Sequence, residues 1–205
     1  MRRDQYTLKS IFKPVMKAPI STTGANKIDL YDHRWIDENG EPQSNGLVSF
    51  FNPKHVYALL NNYNALKSEV GAKYSSDFYY LMEDFDRLLK KSFQNEPICA
   101  DIVKLKLRGM QNVEIKDYLL KTHGKTYTTE YLSSLWCNKI PKLISERAKE
   151  DYLVWHYTFE ERGTWKRCSC CGQRKLAHKR FFTRNKTSKD GFYSVCKECR
   201  NKKDK

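Results

Sequence analysis

The chain has 205 residues, 40% of them hydrophobic and 30% charged, with a formal net charge of +14 and a mean hydropathy of −0.77. That length makes one or two compact domains. No run approaches the roughly 18 apolar residues of a membrane span, and the N-terminus lacks the continuous apolar core of a secretory segment, so no membrane partner is expected and the cytoplasm is the expected location.

Residues 1–30 show no sustained period and carry Pro14, Pro19 and Gly24 among scattered lysines, the pattern of an extended arm. Residues 31–52 place Asn39-Gly40 between short apolar patches, which predicts a hairpin-like turn. Asp32, His33, Asp37 and Glu38 there read as an ordinary charged turn rather than a metal or acid–base site. At Pro53 the period becomes helical: Val56, Leu59, Leu60, Tyr63 and Leu66 share a face, with Asn52 as cap and Pro53 at the first helical position. A second helix is predicted over about 76–93, with Phe78, Leu81, Met82, Phe85, Leu88 and Leu89 inward and the acidic run Glu83, Asp84 and Asp86 on a solvated face.

Pro97 opens a third helix, carrying Ile98, Ile102, Leu105 and Leu107, that stops at Arg108-Gly109. Asn112 is the expected cap of the next, Val113–Thr122, which His123-Gly124 ends; Thr128 then caps a helix over TTEYLSSLWCNKI. Two short helices joined by a short turn are the geometry that sets a recognition helix into the major groove. Tyr131, Leu132, Leu135, Trp136 and Ile140 are expected inward. Thr129, Glu130, Ser133, Ser134, Asn138 and Lys139 are expected outward, and Thr129, Ser133, Ser134, Asn138 and Lys139 are the candidate contacts to bases and phosphates. Over residues 97–150 the arrangement resembles the helix-turn-helix of sigma factors and phage regulators; a plain helical bundle is the alternative.

Pro141 is expected to kink or restart the helix. Leu143, Ile144, Ala148, Tyr152, Leu153 and Trp155 then recur at helical intervals along a strut that ends at Glu160–Gly163. Cys99 and Cys137 read as buried thiols, and His156, between Trp155 and Tyr157, as a packing residue.

The last stretch, Trp165–Asn201, holds two CxxC pairs, Cys168 with Cys171 and Cys196 with Cys199. Two residues between cysteines let one tight turn aim both sulfurs at one point, as a tetrahedral zinc ion with four ligands at about 2.3 Å requires. Cys170 leaves a second pairing conceivable, but Cys168 with Cys171 matches the spacing of the other pair. Gly172 suits the turn after the first pair, and Asp190-Gly191 followed by Phe192 and Tyr193 signals a hairpin that brings the second pair back to the first. The apolar complement is only Leu176, Phe181, Phe182, Phe192, Tyr193 and Val195. So small a core is marginal without a staple, and one zinc ion would supply folding free energy rather than reactivity. A disulfide cluster is the alternative. From Thr164 to Lys205 there are 14 Lys or Arg against 3 Asp or Glu, a net +11, which leaves +3 for the rest of the chain. Basic charge interleaved with aromatic rings marks a polyanion binder, and Arg167, Arg174, Lys175, Lys179, Arg180, Arg184, Lys186, Lys189, Lys197 and Arg200 are its candidate phosphate contacts.

CxxCG, a basic and aromatic middle, DGF, and CKEC followed by Arg200 resemble the four-cysteine zinc modules of bacteriophage and mobile-element proteins, including those related to recombination endonuclease VII and HNH nucleases. The resemblance covers about a fifth of the chain. Its nuclease chemistry does not carry over, because HNH catalysis needs several histidines and an asparagine around a metal and only His178 lies in the ribbon. The expected fold is mainly α, a helical bundle with a helix-turn-helix and a small C-terminal β-hairpin zinc ribbon. Its expected layout is an arm over 1–52, a helical domain over 53–160 with the helix-turn-helix at about 97–140, and the ribbon with its basic tail over 164–205. The expected function is a non-enzymatic, zinc-containing protein that binds duplex DNA, in a phage-encoded case within the bacterial host, as a transcriptional regulator or a DNA-packaging or recombination accessory. The alternatives are a zinc-ribbon nuclease and a module docked in a polymerase or virion assembly.

Overall fold

The computed structural model describes residues 34–45, 48–70 and 77–203. The arm expected over 1–30, together with Asp32 and His33, lies outside the described residues. Arg34–Ile36 (β1) and Pro42–Ser44 (β2) pair antiparallel with Trp35 opposite Gln43. Asp37 builds the turn: its Oδ1 accepts the backbone N–H groups of Asn39 (2.9 Å) and Glu41 (2.8 Å), its Oδ2 takes the Gln43 amide at 2.7 Å, and Gly40 supplies φ +73°. This carboxylate shapes the turn.

Pro53–Asn61 (α1) starts where Asn52 Oδ1 accepts the Lys54 N–H at 2.9 Å, with Pro53 where its missing N–H costs nothing. The helical period continues past Asn62 as a separate helix, Tyr63–Val70 (α2), followed by Asp77–Ser92 (α3). Leu81, Met82, Phe85 and Leu88 of α3 are buried, with Phe85 stacked on Phe50 at 5.6 Å. The acidic run is not merely solvated. Asp86 accepts the Tyr63 hydroxyl at 2.6 Å and pairs with Lys67 at 2.5 Å, and Glu83 adds a 3.4 Å contact to Lys67, so α3 holds α2 through charge. Burial beside these carboxylates pushes the Tyr63 hydroxyl well above its usual pKa.

Pro97–Leu107 (α4) and Asn112–His123 (α5) follow. Asn112 lies inside the helix; the N-cap is Gln111, whose N–H donates to Glu114 Oε2 at 2.7 Å in a capping box. Asn112 instead donates its amide to Ser133 Oγ (2.8 Å) and the Thr129 carbonyl (3.2 Å) on the next helix. Gly124 ends α5 at φ +63°, and His123 Nε2 meets Asp101 Oδ2 at 2.7 Å, fixing α5 on α4.

Thr128 caps Thr129–Ser134 (α6) by accepting the Tyr131 N–H at 3.1 Å. The next turn, Leu135–Lys139, widens to a π-helix, after which Ile140–Phe159 (α7) runs on as α-helix. Pro141 sits just beyond that wide turn. A proline cannot donate to the carbonyl four residues back and its ring crowds it, so the extra residue in the turn accommodates the ring without breaking the rod. Leu132, Leu135, Trp136 and Ile140 are buried as expected, and Trp136 Nε1 donates to Asn61 Oδ1 at 2.9 Å. Tyr131 is not. It lies exposed with its ring stacked on Tyr127 at 5.5 Å. Cys99 is buried, whereas Cys137 is exposed and its Sγ meets the Tyr57 hydroxyl at 3.4 Å.

The chain divides into two compact units, Met1–Lys149 and Glu150–Lys205. Among the described residues the core of the first includes Leu59, Leu66, Met82, Phe85, Ile102, Ile115, Leu119, Leu132, Ile140 and Ile144. The second comprises the end of α7, three-residue strands Trp165–Arg167 (β3), Arg174–Leu176 (β4) and Phe182–Arg184 (β5), then Phe192–Cys196 (β6) and Lys197–Lys203 (α8). β3 pairs with β4 and β5 with β6, both antiparallel. The described residues are thus mainly helical, with small antiparallel pairs, and no helix among them is long and apolar enough to cross a membrane.

Within the second unit the end of α7 packs on β4 through a glycine. A Cβ on Gly163 would lie 2.7 Å from both Leu176 Cδ1 and Tyr157 Cβ, closer than any real contact. Gly163→Ala is therefore expected to destabilise this unit by about 1–3 kcal/mol, the usual range for overpacking. Thermal or urea unfolding followed by near-ultraviolet circular dichroism checks this; an unchanged midpoint would mean that the packing gives way freely.

Candidate metal centre

The first CxxC pair sits on the turn between β3 and β4. Cys168 donates its N–H to the Gln173 carbonyl (2.9 Å), Gly172 donates back to the Cys168 carbonyl (3.0 Å), and Gly172 takes φ +69°, a conformation other residues resist. Arg167 Nε donates to the Gly172 carbonyl at 2.9 Å, clamping the turn from outside. The second pair straddles a strand end: Cys196 closes β6 and Cys199 lies in the first turn of α8. The hairpin before it turns at Gly191 (φ +75°), where Asp190 Oδ1 accepts the Phe192 N–H at 3.2 Å. Ser169 N–H to the Ser194 carbonyl (3.0 Å) and Lys197 N–H to the Phe181 carbonyl (2.9 Å) then bring strand and turn together.

These bonds gather Cys168, Cys171, Cys196 and Cys199, with all four sulfurs within 4.8 Å of one another and no disulfide among the described residues. A tetrahedral ion with bonds of about 2.3 Å needs sulfurs about 3.8 Å apart, so small side-chain adjustments suffice. The donor chemistry fits as well. Cys168 Sγ accepts the N–H groups of Cys170 (3.4 Å) and Cys196 (3.3 Å). Burial alone would raise the Cys168 thiol, but the N–H groups of Cys196, Cys171 and Cys170 outweigh it and bring it down to about 6. Cys196 and Cys199 move the other way, raised first by burial; the Cys171 and Cys196 thiols add to the rise at Cys199. The Cys168 thiolate is thus favoured while Cys196 and Cys199 resist ionising beside it, a conflict that a bound cation would remove. Four sulfur donors suit a zinc or iron ion, and the set could hold a metal. Cys170 is exposed and outside the set; it contributes its N–H and not its sulfur.

Around the cluster lies a core of Cys168, Phe182 and Cys196, covered by Phe181, Phe192, Val195 and Cys199. Tyr193 was expected in that core and is instead 45% exposed, with the Arg200 guanidinium over its ring at 5.2 Å. The spacing gave no hint of Lys166. It is nearly buried, its Nζ donating to Asp190 Oδ2 (2.5 Å) and the Phe192 carbonyl (2.8 Å) and lying 5.7 Å from the Phe182 ring centre. Nothing in the chain distinguishes it from neighbouring lysines except its place in β3, opposite Lys175.

The expected phosphate contacts separate into two groups. Lys175 is largely buried and bound to Glu198 at 2.7 Å; although burial opposes its charge, that carboxylate raises its pKa. Arg167 holds the knuckle turn, Arg200 lies on Tyr193, and Lys179 and Arg180 are partly buried with partners of their own. Arg174, Arg184, Lys186, Lys189 and Lys197 are exposed, and their side chains have no hydrogen bond, ion pair or ring contact among the described residues. In the first unit Ser133, Ser134 and Asn138 are exposed and Thr129 is half-buried, while Lys139 is held by Glu96 at 3.1 Å. Ser133 Oγ is engaged as an acceptor by Asn112.

Comparison of the chain with protein-family models, with curated proteins and with solved structures finds no match.

Purified protein is expected to carry one metal ion per chain. Serine at Cys168, Cys171, Cys196 or Cys199 is expected to lower that stoichiometry at least severalfold, and Cys170→Ser to leave it unchanged; elemental analysis after gel filtration measures both. Equal loss in the Cys170 variant would mean that the ligand set is misassigned.

Proposed function

We propose that the protein binds nucleic acid, with a zinc ion on Cys168, Cys171, Cys196 and Cys199 folding the C-terminal unit into a cationic platform. The observation that carries this reading is the set of five exposed, unengaged cations, Arg174, Arg184, Lys186, Lys189 and Lys197, within a stretch whose described basic side chains Lys166, Arg167, Lys175, Lys179, Arg180 and Arg200 have partners of their own. Charges that stabilise nothing in their own fold are available to phosphates, and their release of counterions drives binding. Zinc, without redox chemistry and suited to four thiolates, is the metal of a structural centre of this kind. Duplex DNA is the preferred ligand class, with α5 and α6 acting as a helix-turn-helix in which Ser133, Ser134 and Asn138 reach base edges. A phage or mobile-element role in transcription, packaging or recombination follows from that reading. No nucleolytic step is assigned.

A second reading is favoured by one feature. Tyr152, Trp155 and Phe159 run up one face of the end of α7, each ring within 6.4 Å of the next, and Phe159 is 73% exposed. Trp155, placed by the sequence at helical intervals along the strut, is exposed as well. An open aromatic stripe suits docking into a larger protein assembly.

Affinity for duplex DNA is expected to fall steeply with salt. The triple variant Arg184→Ala/Lys186→Ala/Lys189→Ala should flatten the slope of log K against log salt by about 2–3, the equivalent of three lost phosphate contacts. Ser133→Ala/Asn138→Ala should leave the slope alone and weaken discrimination between sequences. Fluorescence-anisotropy titrations across a salt series measure these quantities. A slope unchanged by the triple variant would refute the platform, and salt-insensitive retention of a protein partner with no DNA binding would favour the second reading.

A further inference from the structure

The cysteine-bearing stretch of the C-terminal unit is poor in apolar residues, yet it leaves the Tyr193 ring exposed. Phe181, Phe182, Phe192 and Val195 close round Cys168 and Cys196, while Tyr193, in the same strand as Phe192, faces solvent. Arg200, itself exposed and one turn into α8, places its guanidinium 5.2 Å from the centre of the Tyr193 ring. A planar cation over a planar ring makes a stacked, charged plate. An unengaged cation lies beside it along the chain: Lys197 begins α8 three residues before Arg200, the spacing of neighbours on one helix face.

A ligand that fits such a plate must offer a flat π-face and a negative charge within a few ångströms of it. A nucleotide does both, since its base can stack on tyrosine or guanidinium while its phosphate meets Arg200 or Lys197. Bases inside an uninterrupted duplex have no face to give. We infer that Tyr193 and Arg200 form a stacking site for an unpaired nucleobase, so that the C-terminal unit prefers single-stranded or gapped DNA to continuous duplex. This rests on the nucleic-acid reading above and narrows its ligand class for that unit.

The test uses the full chain with its metal and three probes of one sequence: a single strand, a blunt duplex, and a duplex with a single-stranded gap. 2-Aminopurine in the unpaired segment reports stacking by loss of fluorescence. The wild type is expected to bind the strand and the gapped duplex about tenfold tighter than the blunt duplex and to quench the probe, as stacking of a single base on an aromatic ring would do. Tyr193→Ala should remove both the preference and the quenching while leaving blunt-duplex affinity within about twofold, and Tyr193→Phe, which keeps the ring, should retain both. Arg200→Lys keeps the charge without the plane and should weaken quenching more than it changes the salt slope. Metal content and circular dichroism of each variant show that the unit is folded. Equal affinity for blunt duplex and single strand, or equal weakening of both by Tyr193→Ala, overturns the inference and leaves the phosphate platform standing. Failure of all three probes to bind at low salt overturns the platform, and the stacking site with it.

Discussion

The sulfur of Cys168 is the point on which the C-terminal unit turns. It is buried, and it accepts N–H groups from both halves of the unit, Cys170 on its own knuckle and Cys196 at the end of β6. Those two bonds set the register between a turn and a strand 28 residues apart, and they place the other three sulfurs within reach of one ion. Little else could perform that task. The strands are mostly three residues long, and the core packed around the cysteines consists of a few rings and Val195. A unit of this size is marginal on hydrophobic burial alone. A metal held by the four sulfurs would therefore couple its affinity to folding stability.

The same scarcity of apolar side chains explains how the charges are used. Lys166 fills a place that a larger domain would give to a leucine. Its stem runs past Phe182, and its ammonium ends on Asp190 and the Phe192 carbonyl, tying β3 to the hairpin. The Asp190 carboxylate, held by Lys166 and the Phe192 N–H, sits below its usual pKa, so the hairpin keeps this pair ionised. Lys175 makes the equivalent tie to Glu198 on α8. The net charge of the unit consequently overstates the number of unengaged cations. Among the described residues from Trp165 onward, these lie on β4, at the end of β5, in the β5–β6 loop and at the start of α8.

Features set by a few neighbouring residues were legible in the sequence. The Asn52 and Thr128 caps, the proline starts at 53 and 97, the glycine stop at 124 and the cysteine spacing all depend on contacts within one turn, and all appear in the structure. What depends on covering elements was not legible. Helical period identifies a face but not what lies over it, so Tyr131 and Trp155, at apolar intervals, are exposed among the described residues. Cys137 was read as buried from its residue type alone; it lies between buried Trp136 and exposed Asn138 and is exposed, while the period held through the π-turn at Leu135–Lys139, keeping Leu135, Trp136 and Ile140 buried. The signal for that turn is Pro141, which implied an interruption without saying whether the rod would bend or widen.

The position of the unit boundary bears on how the metal centre should be understood. Charge and composition change at Glu160–Gly163, where the four-cysteine stretch begins in sequence. The compact unit begins earlier, at Glu150, and takes in the last ten residues of α7. The reason is steric and local. Tyr157 approaches Leu176 across Gly163 so closely that no side chain fits between, and the Ala177 N–H donates to the Thr164 carbonyl at 2.8 Å just beyond. Leu153, fully buried, and His156, edge-on to Tyr157 at 5.0 Å, continue that packing up the helix. The helix end therefore supplies apolar cover that the strands lack, and a metal on the four sulfurs would supply the cross-link. A four-cysteine module cut at residue 164 would keep its ligands and lose part of its core, so its metal affinity should fall although no ligand is touched.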